Sequence, residues 1–174
     1  PCRRLRTDVT HSHTHMPTKQ LDPDDVRRLV PTELITLDDP PTEKGAAIEF
    51  LLDRAVEAGR VEDRETALSD LLAREEETTT GVGKGIAIPH AKTGAADRPS
   101  VVFARSSAGI DFDSMDGEPA RLLFMLLMPD GGDDDHLSVL SSLSRSLMHD
   151  EVREELSTAD SPETVQRVLV EAMT

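Results

Sequence analysis

Seven residues in a row, Leu122-Leu123-Phe124-Met125-Leu126-Leu127-Met128, are apolar. The run is shorter than a usual buried helix and far below the ~18 apolar residues that span a bilayer. It is closed by Pro129-Asp130-Gly131-Gly132, residues that stop regular structure and turn the chain. A strand with one face in water alternates apolar and polar residues, and this one does not. It is therefore expected to be a central strand covered on both faces.

Such a strand needs helices on either side, and the flanking sequence supplies them. Asp22-Pro23-Asp24-Asp25 reads as a helix start leading into Val26 to Val30, with an acidic cap and proline in the first turn. Thr42 reads as the cap of an amphipathic helix carrying Ala47, Ile48, Leu51, Leu52, Ala55 and Val56, with Gly59 just past its end. A further helix is expected from about Glu62 to Arg74, with Ala67, Leu68, Leu71 and Leu72 on one face. After the apolar run, Leu137, Leu140, Leu143, Leu147 and Met148 mark a helix that His136 begins. A short helix near 151–156 and a last one capped by Ser161, with Val165, Val168, Leu169 and Met173 inside, complete the set. Shorter strands are expected at Leu34–Leu37, Val101–Arg105 and Ile110–Asp113, with a polar loop over Lys92–Arg98. The 174 residues suit one domain. The expected fold is α/β, a single domain with a small mixed β-sheet and helices on both faces.

Between the third helix and the strands lies Gly81-Val82-Gly83-Lys84-Gly85-Ile86-Ala87-Ile88-Pro89-His90-Ala91. Glycine at this density allows positive φ or close approach to a ligand. Ile86 to Ile88 suits a short buried strand, which Pro89 ends because it has no N–H to give. His90 is thereby placed by stiff backbone at the mouth of the sheet, as a nucleophile must be.

Several other motifs fail on spacing. Gly83-Lys84 lacks the first glycine and the following Ser or Thr of a nucleotide P-loop, since Thr78 and Gly85 stand there. Gly81-x-Gly83 does not complete a dinucleotide fingerprint, because Ile86 occupies the third glycine position. Asp111-x-Asp113-x-x-Asp116-Gly117 resembles a calcium loop with its third carboxylate one residue late. No helical histidine pair exists to build a metal site. A formal charge of −15, from 34 acidic and 19 basic residues, argues against nucleic acid or an anionic membrane as partner. Only four of the basic residues are Lys, and this acidic, lysine-poor composition resembles that of proteins from salt-loving cells. Cys2 has no partner for a disulfide, which suits the cytoplasm.

Two histidines follow apolar runs, so His90 and His136 are expected near one rim of the sheet, where α/β folds bind ligands. Imidazole titrates near pH ~6.5 and accepts or donates a phosphoryl group once its tautomer is fixed. A phosphoryl group brings about two negative charges that need local compensation. Arg74, Lys84, Lys92, the hydroxyls of Thr78 to Thr80 and the glycine amides all lie near His90 in sequence. Spacing by itself equally allows two structural histidines satisfied by hydrogen bonds.

Arg74-Glu75, then Thr80-Gly81-Val82-Gly83 and Gly85-Ile86-Ala87-Ile88-Pro89-His90-Ala91, closely resemble the phosphorylation signature of the fructose/mannitol-type enzyme IIA domain of the phosphoenolpyruvate-dependent sugar phosphotransferase system. Leu123 to Pro129, an acidic loop and His136-Leu137 with Leu140 and Leu143 form a second match. Glu43-Lys44 and Ala47-Ile48 also fit the early helix of that family, and the likeness runs from about Lys19 to Met173. The resemblance implies that His90 takes a phosphoryl group from the phosphohistidine of the carrier protein HPr and passes it to enzyme IIB, with no metal or organic cofactor expected. His136 would orient His90 or its phosphoryl group, and Arg74 would neutralise the charge developing in transfer. Thr80, Gly81, Gly83 and Lys84 are the expected phosphate-binding residues. Lys84 departs from the small polar residue, such as Asn, that many members carry. The family contains a nitrogen-related regulatory branch with the same histidine, and a non-catalytic binding module on this fold is a further alternative. The domain is expected to span residues 21–174, cytoplasmic and without membrane insertion. Residues 1–20, with Arg3, Arg4, Arg6, His11, His13 and His15, read as a disordered or non-native tail, and Met16 as a candidate natural start.

Overall fold

A computed structural model describes residues 21–131 and 133–174, with side chains in the second span from His136 onward. The expectations for residues 1–20 lie outside the described residues.

Strand β5 (Ala120–Met128) is the centre of the sheet. It pairs in parallel with β2 (Ile86–Ala87) and β3 (His90–Lys92) along one edge, and antiparallel with β4 (Ser100–Ile110) along the other. The small β1 (Gly81–Gly83) pairs antiparallel with β2. The mixed sheet that the sequence called for is thus present. Alternation along β5 sorts its side chains into two cores. Leu122, Phe124, Leu126 and Met128 join one cluster with Val26, Leu29, Leu143, Val165 and Leu169. Leu123, Met125 and Leu127 join a second with Ile48, Leu51, Leu52, Ala67 and Leu71. Helices α1 (Pro23–Leu29), α4 (Asp133–Leu147) and α6 (Pro162–Met173), with α5 (Asp150–Thr158), therefore supply one layer, and α2 (Lys44–Glu57) and α3 (Arg64–Glu77) the other.

Capping chemistry fixes most of the helix starts. Asp22 accepts from the Asp25 N–H while the Asp25 carboxylate accepts from the Asp22 N–H, a reciprocal capping box. Ser161 accepts from the Thr164 N–H at 3.2 Å and Pro162 opens α6. Ser161→Ala should cost about 1 kcal/mol. A urea titration with a lower midpoint and unchanged slope checks this.

Five local expectations are corrected. The cap of α2 is Glu43, whose carboxylate accepts from the Gly45 and Ala46 N–H groups, and not Thr42. Leu34–Leu37 is no strand: Thr32–Leu34 is a 3-10 turn, Ile35 makes one parallel bridge to Phe103, and the Thr36 hydroxyl accepts from the Asp38 N–H, turning the chain away. Ile110–Asp113 is no separate strand, because Ile110 ends β4 and Asp111 accepts from the N–H of Asp113, itself at φ 56°. Helix α3 runs on to Glu77 and leaves Leu72 exposed, and Leu137 and Met148 are exposed as well. Helix α4 begins at Asp133, which places His136 inside its first turn and not at its start.

Candidate active site

The site forms over β3, at the sheet edge, where both helical layers reach it. Helix α3 presents Asp70, Ala73, Arg74 and Glu77, spaced so that all four share one face. Strand β3 presents His90, Ala91 and Lys92, and α4 presents His136. These residues line one cleft. The structure thus brings together His90, His136 and Arg74.

The backbone holds His90 by three contacts. His90 pairs with Leu126 of β5, and the Leu126 N–H donates to the Pro89 carbonyl at 2.9 Å. The Nδ1 of His90 lies 2.7 Å from the Ile88 carbonyl. A carbonyl only accepts, so Nδ1 carries the proton and Nε2 keeps its lone pair. The ring of His136 stands 5.7 Å away, centroid to centroid, tilted by 54°. Its Nδ1 is buried and has no hydrogen-bond partner among the described residues. Arg74 donates from Nη1 to the Thr78 carbonyl at 3.2 Å, which anchors the guanidinium at the end of α3.

Both imidazoles are held below their ordinary pKa. For His90 the main cause is burial, opposed by the hydrogen bond to the Ile88 carbonyl, with the positive charge of Arg74 adding to the lowering and Glu75 opposing it. For His136 the causes are burial, then His90, Lys92 and Arg74. Each ring is therefore neutral at pH 7, and His90 offers a free nitrogen. A folded pKa below the unfolded value of about 6.5 means stability that is present above pH ~6.5 and lost as pH falls through the folded value. An NMR titration of the ring carbon protons should give both midpoints below the ordinary histidine value. A midpoint above it for either ring would contradict the burial seen here.

The residues expected to bind phosphate lie elsewhere on the glycine segment, and none of them is among the lining residues. Thr80 is buried, and its N–H and hydroxyl both donate to the Glu75 carboxylate. Gly81 lies against Ser114 and Phe112, where an added Cβ would come within 2.3 Å of the serine hydroxyl. Gly83 pairs with Ile86, and Lys84 and Gly85 form the hairpin tip, both at positive φ (57° and 77°). A two-residue turn of that kind prefers Asn or Gly, and the N–H of Lys84 is tied to Asp116 at 2.8 Å. Sequence reasoning placed Lys92 near His90 without assigning it to the site, and it missed Asp70 and Glu77. Helical spacing from Arg74 was the available signal for those two. Among the described residues no group of three or more His, Cys, Asp or Glu is arranged to hold a metal ion, and no helix is long and apolar enough to cross a membrane.

A small α/β domain that gathers two neutral imidazoles beside an arginine at a sheet edge has the equipment to handle an anionic group, and comparison with known proteins makes the class that of a phosphotransferase component. The chain belongs to the family of EIIA 2 domains of the phosphoenolpyruvate-dependent sugar phosphotransferase system, whose model matches residues 28–172. It is 60% identical over 153 residues to a PTS system fructose-specific EIIA component of Haloferax volcanii, covering 88% of this chain and 99% of that protein. Among solved structures, the nitrogen regulatory protein IIA-Ntr of Neisseria meningitidis matches with a TM-score of 0.77 and 31% identity, over 83% of this chain and 98% of that one. The enzyme IIA mannitol of Escherichia coli, solved in complex with phosphorylated enzyme IIB mannitol, matches with a TM-score of 0.69 and 28% identity, over 80% and 95% of the two chains.

Proposed function

We propose that the protein relays a phosphoryl group through Nε2 of His90, taking it from phosphorylated HPr and passing it to an enzyme IIB domain for fructose uptake. The observation that carries this reading is the bond from His90 Nδ1 to the Ile88 carbonyl, which commits one nitrogen and frees the other. The Nε2 lone pair attacks phosphorus in line as the donor's P–N bond breaks, and the bonding electrons stay on the donor nitrogen. No proton need move when the donor ring is protonated on its other nitrogen, because it then leaves as neutral imidazole while the Nδ1–H of His90 remains on its carbonyl. Arg74 of α3 and Lys92 of β3, which both line the cleft, offset the charge spread over the phosphoryl oxygens. His136 orients the group with its ring nitrogen.

Thr80, Gly81, Gly83 and Lys84 act indirectly on this reading, by shaping the backbone that presents His90. Leu137, exposed beside His136, gives an apolar contact for the two protein partners. An acidic chain meeting acidic partners needs such a contact and needs salt to screen repulsion. The exchange is placed in the cytoplasm, where the carrier would be met. The IIA-Ntr likeness supports a second reading, in which the same histidine signals and feeds no transporter. A mixed assay with a fructose-type IIB and its permease separates the two: sugar phosphate forms on the transport reading and does not on the regulatory one.

Arg74→Ala is expected to slow phosphoryl acceptance by about 10²- to 10³-fold, the cost of removing one charged donor from a developing oxyanion. Quenched-flow transfer from phosphorylated HPr measures this. A rate within about threefold of wild type, well under 1.4 kcal/mol of barrier, would remove Arg74 from the mechanism.

A further inference from the structure

Glu75 sits in a run of three acidic residues, Glu75-Glu76-Glu77, which by itself reads as a solvated helix end. Its side chain is only 7% exposed. The last turn of a helix is also where the macrodipole disfavours a carboxylate. Burying it there is costly unless every oxygen finds a donor. Three donors meet it: the Lys44 ammonium at 2.6 Å, the Thr80 N–H at 3.1 Å and the Thr80 hydroxyl. The carboxylate is therefore fully committed to these partners.

What this arrangement fixes is Thr80. The Thr80 carbonyl accepts from the Ile88 N–H at 2.9 Å, and the Ile88 carbonyl accepts from His90 Nδ1 at 2.7 Å. Ile88 falls between β2, which ends at Ala87, and β3, which starts at His90. Its neighbour Pro89 has no N–H, so the ladder does little to hold the Ile88 peptide. The hydrogen bond to Thr80 supplies that hold, and the buried ion pair holds Thr80.

We infer that Glu75 is a positioning residue for the phosphoryl acceptor. Through Thr80 and Ile88 it aims the carbonyl that keeps His90 in the tautomer with a free Nε2. The inference rests on the reading that His90 is the nucleophile. Loss of the carboxylate charge lets the Ile88 carbonyl wander, and part of the His90 population then carries its proton on Nε2, where no lone pair remains for attack.

The test compares wild type and Glu75→Gln in two measurements. Nitrogen NMR of histidine-labelled, unphosphorylated protein reads the His90 tautomer. Transfer from phosphorylated HPr reads the rate and the donor KM. Wild type should show one Nδ1–H tautomer, and Glu75→Gln a mixture. Acceptance should fall by roughly 10- to 100-fold, the cost of a misplaced reacting group, with the donor KM unchanged because Glu75 is buried. A single Nδ1–H tautomer and a wild-type rate in Glu75→Gln would overturn the inference. If that variant does not fold, Thr80→Val removes one of the same bonds, and an unchanged tautomer there would overturn it too. Failure of the relay reading looks different: wild type then takes no phosphoryl group, while the tautomer still reports whether Glu75 holds the His90 ring.

Discussion

His90→Ala is expected to accept no phosphoryl group, a loss of more than about 10⁴-fold, the scale seen when a covalent nucleophile is removed. The substitution takes away the one ring whose Nδ1 is tied to a backbone carbonyl within the cleft. Its fold should survive, because β3 is held by backbone pairing to β5 from His90 to Lys92 and not by the ring. Intact-mass analysis after incubation with phosphoenolpyruvate, enzyme I and HPr reads the first claim, and a urea titration reads the second. Acid-labile phosphate on the variant at the wild-type level would move the acceptor elsewhere, with His136 next in line.

Phe124→Ala should have the largest effect on stability. Phe124 is fully buried in β5 and meets the Phe103 ring edge-on, with centroids 5.2 Å apart. Removing an aromatic ring from such a place costs about 3–5 kcal/mol, against a total of roughly 5–15 kcal/mol for a domain. The same strand sets the register of His90 through Leu126, so residual activity should fall with the folded fraction. A destabilisation below about 1 kcal/mol would mean that the centre of this sheet packs otherwise.

The features legible in the sequence are those that local chemistry decides. The unbroken apolar run became β5, and the periodic stretches became α2 and α6, because burial on two faces or on one stripe leaves a pattern along the chain. The break between β2 and β3 at Ile88-Pro89 and the cap at Ser161 were equally local. What stayed hidden depends on partners far along the chain. Glu75 looks like solvated charge until Lys44 of another helix is seen against it. Leu72 fits the apolar face of α3 by spacing, yet no element covers it and it stays exposed. The α3 face that matters to the cleft is the polar one, Asp70, Arg74 and Glu77, which periodicity in apolar residues does not report. Lys84 reads from sequence as a candidate phosphate ligand, and what the sequence does not announce is that its backbone also makes the turn, at positive φ with its N–H tied to Asp116.

The central claim is that the phosphoryl group resides on Nε2 of His90. Phosphorus–nitrogen coupling in the phosphorylated, histidine-labelled protein tests it most directly. Coupling to Nε2 of His90, with Nδ1 still protonated on the Ile88 carbonyl, is the result this account predicts. Coupling to Nδ1, or to His136, would contradict it.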